Sequence, residues 1–508
     1  MSEAGLSAAA WCRRIGRSHA LNPALIDGAR QRTYAELDAR TDRLARALIA
    51  AGVGPGDRVA ALLYNGAPLI ELYFAAAKAR AILLPLNWRL AAPEIAFIVE
   101  DATPKLLFVS PGLAPLADGL VSHARRIAVP DEPATDDPFE ALVAGDLDSL
   151  PGAEPDDLWI MLYTSGTTGR PKGCLLDQRG QFVSALASAL LWRAQPHDKV
   201  LMALPLFHVG GLGILFAHMI VGACTVIAPR VCDGALARDM IADYGCTRAA
   251  IAPQLYARML EVQAEVPRPL ALDLVSMGGG MHEPALVAEV RDALETDILL
   301  GYGQTEAGNF ISYLTAAEQL ARPRSCGRAM AHLDVAVLDE AGRPVPAGAS
   351  GELVVRGASV LRRYWNQPEA TGRTLRDGWL RTGDLFSIDE AGYLTLLGRL
   401  KDLIKSGGEN VYPKEVEAVL DAHPAITESC VFGVPDDQWG EAVKAVIVIR
   451  PGRTLTAGEI VAWCRDHIAG YKRPRYIEFV DALPRSDAGK LLMRDLRARP
   501  TGPEHWTG

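Results

Sequence analysis

The sequence of 508 residues has few cysteines, few aromatic residues and no excess of basic charge. Its eight cysteines are scattered and form no CxxC pair, which disfavours a zinc ribbon or a dithiol redox motif and fits reduced thiols in the cytoplasm. Lys and Arg total 52 against 61 Asp and Glu, without a basic stripe, so no nucleic-acid partner is predicted. The N-terminus lacks a basic segment followed by an apolar core, so no signal peptide is expected.

Long apolar stretches are scarce as well. The most apolar one, residues 211–229, is interrupted by glycines and by a central His218. These interruptions disfavour a membrane span, and the stretch predicts a buried helix that passes into a strand. The negative net charge of −9 has a local origin, since residues 131–157 hold ten acidic residues and no basic one. This acidic segment is interpreted as a solvated connection.

The alternation of apolar and helical stretches predicts the fold class. Up to residue 300, short apolar runs alternate with longer helical patterns, which predicts βαβ units and mainly parallel sheets in an α/β fold. Residues 33–52 form a clear helical pattern, with Leu37, Leu44 and Leu48 on one face. The runs interpreted as buried strands are 59–64, 106–110, 200–205, 224–229, 249–253 and 298–303.

The pattern changes in the last third of the chain. Two DEAG sequences between alternating apolar runs predict tight turns in a β-rich subdomain over residues 325–399. After Arg399, two helical and two strand patterns predict a small, mobile α+β domain over residues 400–508. The paired glycines of residues 398–410 predict a hinge between this domain and a large N-terminal domain, residues 1–399.

The most specific segment is YTSGTTGRPKG, residues 163–173. Its glycines let the backbone approach a bulky anion, its hydroxyls can donate to phosphate oxygens, and Lys172 adds positive charge. No GxxxxGK[ST] sequence is present, so a P-loop kinase or ATPase is not predicted. The residues expected to bind phosphate are Thr164, Ser165, Gly166, Thr167, Thr168, Gly169 and Lys172.

This segment closely resembles the phosphate loop of the adenylate-forming superfamily, which comprises acyl- and aryl-CoA synthetases, luciferases and peptide-synthetase adenylation domains. Five further segments resemble later motifs of that family in the same order, and the likeness is strongest to 4-chlorobenzoate-type and fatty-acid-type CoA ligases. They are LPLFHVGG (204–211), GYGQTE (301–306), GWLRTGDL (378–385), GRLKDLIKSGGENVYPKEVE (398–417) and PRSDAGK (484–490).

The resemblance implies an ATP-dependent reaction of a small carboxylic acid in two steps. The acid first attacks the α-phosphate of ATP to give an acyl-adenylate and pyrophosphate, and the thiol of CoA then takes the acyl group while AMP leaves. Because the first step brings an anion to a polyanion, positive charge and Mg²⁺ are needed between them. Lys490 resembles the lysine that bridges carboxylate and α-phosphate, and Glu306 with Thr164 resembles the Mg²⁺ site.

Other nucleotide contacts follow from positions within the motifs. Tyr302 resembles the aromatic residue on which adenine stacks, and Thr305 is expected to donate to the α-phosphate. Asp384 resembles the carboxylate that accepts both ribose hydroxyls, with Arg399 reaching the same ribose. The remaining residues implied at the nucleotide are Gly279, Gly280, Gly303 and Gln304.

The acyl pocket is implied near His208, which is expected to position the reactants. A general-base role is not predicted, because no nearby Asp or Cys in the sequence supports a triad. Met281 and His282 stand where many relatives have a small residue or proline, so the pocket floor is expected to be unusual. Small neighbours favour an aryl or medium-sized hydrophobic acid, and the amide of Asn309 hints at a polar substituent. The implied pocket residues are His208, Val209, Gly210, Gly301, Gly303, Gly308 and Asn309.

The second step needs another geometry, because Lys490 and the thiol cannot share one side of the acyl carbon. In this family the C-terminal domain rotates between the steps, and Lys401 matches the hinge residue. An aromatic ring suits the adenine of CoA, and arginines suit its 3′-phosphate. The residues implied at CoA are Arg89, Gly407, Gly408, Trp439, Tyr471, Arg473 and Arg475.

One alternative to a CoA ligase stays open and a second is disfavoured. The first is an adenylating enzyme that passes its product to a carrier-protein thiol or an amine, although Trp439 and the cations of residues 471–475 favour CoA. The second is a nucleotide-binding sensor without turnover, which predicts loss of Lys490 or Glu306, and both are present. A homodimer is expected only by analogy with the fold.

Overall fold

A computed structural model of the chain describes residues 3–120, 124–145, 150–164, 171–278, 284–406, 409–436, 438–485 and 491–499. The chain divides into two compact units. The first comprises Met1–Val335, Val354–Arg381 and Gly392–Leu394, and the second Ala336–Leu353, Thr382–Ala391 and Thr395–Gly508. The predicted C-terminal domain, residues 400–508, falls within the second unit, and the domain boundary at residue 399 stays a prediction. The predicted site residues outside the described ranges are Ser165, Gly166, Thr167, Thr168, Gly169, Gly279, Gly280, Gly407, Gly408 and Lys490, and so are Met281 and His282 of the predicted pocket floor.

Helices and strands alternate through most of the described chain. The helices are α1 (Ala8–Ser18), α2 (Tyr34–Ala50), α3 (Ala67–Lys78), α4 (Ala92–Ala102), α5 (Ala114–Asp118), α6 (Pro138–Val143), α7 (Gln178–Leu191), α8 (Val209–Met219), α9 (Gly234–Tyr244), α10 (Pro253–Glu265), α11 (Pro284–Ala293), α12 (Ala316–Ala321), α13 (Pro368–Thr374), α14 (Pro413–Asp421), α15 (Ala457–His467) and α16 (Met493–Ala498). The strands are β1 (Pro23–Asp27), β2 (Arg30–Thr33), β3 (Arg58–Leu62), β4 (Ile82–Pro85), β5 (Leu106–Val109), β6 (Arg125–Ala128), β7 (Leu158–Thr164), β8 (Lys172–Asp177), β9 (Lys199–Met202), β10 (Cys224–Ile227), β11 (Arg248–Ala250), β12 (Leu274–Gly278), β13 (Asp297–Gln304), β14 (Asn309–Thr315), β15 (Ser325–Ala329), β16 (Leu333–Leu338), β17 (Ser350–Gly357), β18 (Arg363–Tyr364), β19 (Leu375–Arg376), β20 (Trp379–Ile388), β21 (Leu394–Arg399), β22 (Ile404–Ser406), β23 (Glu409–Val411), β24 (Ile426–Asp436), β25 (Gly440–Ile449) and β26 (Tyr476–Val480).

The first unit is built on two sheets. One has the order β18-β8-β7-β4-β3-β5-β6, and the other contains the run β15-β14-β13-β12-β11-β9-β10-β1-β2. In the first sheet β3 pairs in parallel with β4 and β5, and β4 with β7. In the second sheet β1 pairs in parallel with β10, β10 with β9, β9 with β11, β11 with β12, and β12 with β13. The parallel sheets predicted for this part of the chain are confirmed, and their carboxyl ends bring loops distant in sequence to common edges.

The second unit contains a smaller sheet, in which β23, β22, β25 and β24 follow one another and β26 pairs with β25. Helices α14 and α15 lie in the same part of the chain, as the small α+β pattern predicted. The strands β16, β17, β20 and β21 all lie within residues 325–399, the stretch predicted to be β-rich. Both DEAG turns form as predicted, since Gly342 and Gly392 have φ angles of +78° and +81°, which favour glycine.

Local sequence signals explain the predicted helices. The Thr33 hydroxyl accepts the Glu36 backbone N–H, and the Glu36 carboxylate accepts the Thr33 backbone N–H, so a capping box begins α2. The apolar stretch 211–229 forms buried α8 followed by β10, as predicted. Within the residues that the structure describes, no helix combines the length and apolarity that a bilayer crossing requires.

Aromatic packing joins the helices and sheets of the first unit. Phe216 of α8 stacks on Trp159 of β7 with ring centroids 5.1 Å apart, and Trp11 of α1 meets Phe74 of α3 edge to face at 5.2 Å. All four side chains are essentially buried. Such aromatic pairs contribute packing energy beyond their area burial, so this cluster holds α1, α3 and α8 against β7.

The interpretation of residues 131–157 as a solvated connection is wrong for part of the segment. Asp137 is buried, and its carboxylate accepts the backbone N–H of Phe139 at 2.9 Å at the start of α6. Glu140 pairs with Arg40 at 2.7 Å. Composition gives only the density of acidic groups, whereas Asp137 caps a helix and the partner of Glu140 lies about 100 residues earlier in the chain.

Candidate active site

The site begins where the hairpin of β7 and β8 opens. Thr164, the last residue of β7, is the register partner of Lys172, the first residue of β8. A hydroxyl and an ammonium group therefore flank the two ends of the glycine-rich segment. Residues 165–170 between them lie outside the described ranges.

Glu306 lies at this opening, in a single 3₁₀ turn between β13 and β14. Its Oε1 accepts a hydrogen bond from the Thr164 hydroxyl at 3.3 Å and another from the Tyr364 hydroxyl at 2.9 Å. Tyr364 belongs to β18, which pairs with β8, and the Lys172 ammonium lies 5.4 Å from the Tyr364 ring centroid. One carboxylate, two hydroxyls and one cation thus converge from three strands and a turn.

Burial fixes the protonation of the groups around Glu306. Burial raises the pKa of the Tyr364 hydroxyl, and the negative charge of Glu306 raises it further. Tyr364 therefore remains a donor at neutral pH. Burial likewise raises the pKa of the Cys174 thiol, whose Sγ lies 3.6 Å from the Thr305 carbonyl oxygen. A neutral thiol is a poor nucleophile, so Cys174 is part of the packing and not a reactive group.

The oxygen donors at Glu306 suit a magnesium ion that is bound mainly through phosphate groups. Mg²⁺ prefers hard oxygen ligands and is commonly held by one or two carboxylates together with substrate phosphates and water. Nowhere in the described ranges do three or more His, Cys, Asp or Glu side chains converge in a way that could hold a metal ion. The carboxylate of Glu306 beside the Thr164 hydroxyl therefore fits an ion that arrives with a nucleotide.

The predicted adenine and pocket residues follow β13 into β14. Tyr302 is half-buried, and its hydroxyl accepts from Gln304 Nε2 at 3.4 Å. A Cβ atom on Gly301 would lie 2.4 Å from Phe310, and one on Gly303 would lie 2.2 Å from the Asn309 carbonyl oxygen. Gly303 has no room for a side chain because the backbone of its partner strand β14 lies against it, and at Gly301 the Phe310 ring fills that space.

Asn309 lies deep in the first unit. It is buried, its Nδ2 lies 3.5 Å from the Ser188 hydroxyl of α7, and a Cβ atom on Gly213 of α8 would approach that Nδ2 to 1.6 Å. The amide therefore sits where α7, α8 and β14 meet. Gly308, beside it, has a φ angle of +81° and lies close to the Ser359 carbonyl oxygen.

His208 stands at the start of α8 and is exposed. The loop before it is anchored by Asn65, whose amide donates to the Leu204 carbonyl at 2.8 Å and accepts from the Leu206 N–H at 2.9 Å. The Tyr73 hydroxyl adds a third bond to this loop, at 2.7 Å from the Leu206 carbonyl oxygen. His208 is thus held in place by its backbone, while its expected positioning role stays a prediction. Of its predicted neighbours, Val209 is buried and Gly210 half-buried.

The predicted ribose pair lies in the second unit. Arg399 Nε is 3.1 Å from Asp384 Oδ1, and the Asp384 side chain is almost completely buried. Gly383, with a φ of +70°, shapes the turn before Asp384, and its N–H donates to Glu352 at 3.0 Å. Asp384 and Arg399, which have 14 residues between them in the chain, are therefore adjacent in space.

The predicted hinge and CoA residues of the second unit are only partly brought together. Arg475 lies 4.2 Å from the Trp439 ring centroid, which places a cation on an aromatic face. Tyr471 and Arg473 lie around the 3₁₀ turn that precedes β26. Lys401 is exposed and lines a cleft of about 210 Å³ together with Arg497. Arg89 belongs to the first unit, where it is exposed and lies 5.1 Å from the Trp88 ring centroid.

Sequence reasoning missed several residues beside these sites. Tyr364 donates to Glu306, yet nothing in its own neighbourhood, RRYWN, marks it as polar site chemistry. Tyr64 and Arg230 lie beside Trp88, with the Arg230 guanidinium 4.5 Å from the Tyr64 ring centroid. Tyr64, Trp88 and Arg230 each follow an apolar strand, β3, β4 and β10 respectively. That position could have marked them in the sequence, because functional loops follow the carboxyl ends of parallel strands.

Comparison with known proteins places this site in a family. A model of AMP-binding enzymes matches residues 12–365, and a model of the AMP-binding enzyme C-terminal domain matches residues 415–490. A feruloyl-CoA synthase from an Amycolatopsis species is 36% identical over 499 residues, covering 96% of this chain and 98% of that protein. The fatty acid–[acyl-carrier-protein] ligase ScoC of Streptomyces coeruleorubidus is 37% identical over 494 residues, covering 94% and 93%. An indoleacetate–CoA ligase of Aromatoleum aromaticum is 36% identical over 479 residues, covering 92% and 93%.

Solved structures agree with these likenesses. O-succinylbenzoate CoA synthetase (MenE) from Bacillus subtilis, in complex with its acyl-adenylate intermediate, has a TM-score of 0.83 at 30% identity and covers 97% of this chain and 98% of its own. ATP-bound MatB from Rhodopseudomonas palustris has a TM-score of 0.84 at 31% identity and covers 96% and 98%. Both likenesses extend over nearly the whole chain.

The chain therefore belongs to the AMP-binding enzyme family, the adenylate-forming enzymes. This confirms the predicted family and the α/β fold class. It also confirms the predicted enzyme class, an AMP-forming acid–thiol ligase of the acyl- or aryl-CoA synthetase type. The roles of individual residues stay predictions.

Proposed function

We propose that the chain converts an aromatic or medium-sized hydrophobic carboxylic acid, ATP and CoA into the CoA thioester, AMP and pyrophosphate. The convergence of Thr164, Tyr364 and Lys172 on Glu306 at the open end of the β7–β8 hairpin carries this proposal. A triphosphate with its magnesium ion suits such a site, because the site offers oxygen ligands and positive charge together. Relatives named as CoA ligases and neighbours solved with ATP support the same conclusion.

In the first step the acid attacks the α-phosphate of ATP. Glu306 and Thr164 would hold a magnesium ion, which would neutralise phosphate charge, and Thr305 would donate to the α-phosphate. Lys172 and Lys490 supply the positive charge that lets the two anions approach. The roles of the nucleotide-binding residues are those expected from the motifs: Tyr302 on adenine, Asp384 and Arg399 on the ribose.

The acid is proposed to lie beside β13 and β14. The half-buried Phe310 ring packs on Gly301 there and presents an aromatic face. A flat apolar surface of this kind suits a planar acid, which agrees with relatives that act on feruloyl and indoleacetate groups. His208, exposed at the start of α8, would position the reacting carboxyl group, and Asn309 would supply a polar contact at depth.

In the second step the thiol replaces AMP on the acyl carbon. The C-terminal domain rotates about Lys401 so that Lys490 leaves and CoA enters. Trp439 with Arg475 presents an aromatic face and a cation, which suit the adenine and the phosphates of CoA. A second candidate acceptor is a carrier-protein thiol, which the likeness to ScoC favours. A homodimer and a cytoplasmic location stay predictions.

The test measures pyrophosphate release with aryl, aliphatic and branched acids, each with CoA, with a phosphopantetheinylated carrier protein and with neither thiol. Thioester formed on CoA, identified by mass together with AMP, supports the proposal and ranks the acids. Pyrophosphate release with thioester only on the carrier protein rejects CoA and supports the second candidate. Glu306→Gln, which keeps the shape of the side chain but removes its charge, should abolish pyrophosphate release with every acid.

A further inference from the structure

The turn that carries Glu306 is too short to fix its own position. It is a single 3₁₀ turn, Thr305–Ala307, closed by one hydrogen bond from the Gly308 N–H to the Thr305 carbonyl oxygen at 3.0 Å. A 3₁₀ turn has poor hydrogen-bond geometry, and one such bond does not offset the entropy of ordering the turn. The position of Glu306 therefore depends on contacts from the rest of the chain.

The segment that connects β17 to β18 holds this turn. The Leu361 N–H donates to the Glu306 carbonyl oxygen at 2.8 Å, and the Ser359 hydroxyl donates to the Ala307 carbonyl oxygen at 2.7 Å. A Cβ atom on Gly308 would lie 2.3 Å from the Ser359 carbonyl oxygen, so the two segments are in close contact. Ser359 is buried, and water therefore does not compete for its hydroxyl group.

His332 fixes the direction of the Ser359 hydroxyl. The His332 Nε2 atom lies 3.1 Å from Ser359 Oγ. Because the hydroxyl hydrogen is already donated to Ala307, Nε2 must be the donor and carries the ring proton. The Nδ1 atom is buried and has no hydrogen-bond partner among the residues that the structure describes. Burial lowers the pKa of His332 to about 4, so the imidazole is neutral at physiological pH.

This relay acts on the backbone of the turn, whereas Tyr364 acts on the Glu306 carboxylate. The Tyr364 hydroxyl donates to Glu306 Oε1 at 2.9 Å, and Tyr364 lies three residues after Leu361 in the chain. One short stretch, residues 359–364, thus contacts both the backbone and the side chain of Glu306. A shift of this stretch would move the carboxylate away from the Thr164 hydroxyl, which lies 3.3 Å from it.

We propose that His332 and Ser359 are positioning residues for the adenylation step, because their relay to the Ala307 carbonyl holds Glu306 where it meets Thr164. This inference rests on the proposed function, since it takes Glu306 to act on the triphosphate of ATP. Neither residue lies in a segment that resembles a motif of the family. A positioning role of this kind predicts a loss confined to the step that uses the triphosphate.

The test measures the two steps separately. ATP–pyrophosphate exchange reports the first step, and thioester formation from a prepared acyl-adenylate, which carries no triphosphate, reports the second. His332→Leu removes the N–H donor and should lower the kcat of exchange about fivefold, as for the loss of one neutral hydrogen bond. Thioester formation from the acyl-adenylate should stay unchanged. His332→Gln, whose amide can donate to Ser359, should restore most of the exchange rate.

A second variant tests whether the two residues act as one relay. Ser359→Ala should slow exchange by the same factor, and the double variant with His332→Leu should be no slower than either single variant. Ser325→Ala is the matched control. The Ser325 hydroxyl likewise accepts one hydrogen bond, from the Gly327 N–H at 2.9 Å, and donates to one carbonyl oxygen, that of Leu394 at 3.0 Å. The control should exchange pyrophosphate at the wild-type rate.

The outcomes separate this inference from the proposed function. Unchanged exchange in His332→Leu, equal slowing of both steps, or additive losses in the double variant would overturn the positioning role, while wild-type thioester formation still supports the ligase. Melting temperatures show whether a variant is folded, and if Ser359→Ala is not, the comparison of His332→Leu with His332→Gln decides. A wild-type enzyme that exchanges no pyrophosphate with any acid overturns the proposed function and this inference with it.

Discussion

Replacing Tyr364 with Phe tests the Glu306 site by removing a single hydroxyl group. That hydroxyl donates to Glu306 Oε1 at 2.9 Å, while the Tyr364 backbone remains paired with Cys174 of β8. A hydrogen bond to a charged group contributes about 1.5–3 kcal/mol, and partners that orient a metal ligand change metal affinity by about 10–100-fold. Because Glu306 is only half-buried, we expect the lower end, about a tenfold weaker response to Mg²⁺.

The assay is ATP–pyrophosphate exchange at fixed ATP and acid over a range of Mg²⁺ concentrations. Tyr364→Phe should move the midpoint to higher Mg²⁺ and restore most of the rate at saturation. Tyr393→Phe is the matched control, since its hydroxyl donates to Glu318 at 2.8 Å, away from the hairpin. A Tyr364→Phe midpoint equal to that of wild type would refute the reasoning that this hydroxyl orients Glu306 toward a metal ion.

Three further predictions concern packing and protonation. Gly213→Ala would bring a Cβ atom to 1.6 Å from Asn309 Nδ2 and should lower the free energy of unfolding in urea by about 1–3 kcal/mol. In the double variant, Asn309→Ala should relieve most of that loss. Additive losses from the two substitutions would contradict the steric overlap. Burial lowers the pKa of His218 to about 4 in the folded chain. As the pH falls, the unfolded chain therefore takes up a proton on this residue before the folded chain does. The free energy of unfolding should fall as pH drops from about 6.5 to 4. His218→Gln should flatten that part of the pH profile, and an equally steep profile would argue against a neutral buried imidazole. Phe216→Ala removes the ring stacked 5.1 Å from Trp159 and should lower the unfolding free energy by about 3–5 kcal/mol, so an unchanged melting temperature would contradict the packing described.

Most of the fold could be predicted because its signals are local. The capping box of Thr33 and Glu36 and the apolar face of α2 act over a few residues, and so do the DEAG turns. The short apolar runs predicted the parallel strands, because this pattern too lies within a few consecutive residues. The acidic segment was misread because the partners of Asp137 and Glu140 depend on contacts that composition does not record.

The sequence by itself determined the chemistry of the chain. The order of residues in YTSGTTGRPKG, GYGQTE and PRSDAGK identifies the family, because binding a polyanion demands particular residue types at particular spacings. Only the tertiary structure decided which distant side chains complete the sites. Tyr364 reaches Glu306, and Arg230 reaches Tyr64, because the two sheets of the first unit bring together chain segments separated by 58 and 166 positions. Such contacts depend on strand order and register, which local sequence patterns do not specify.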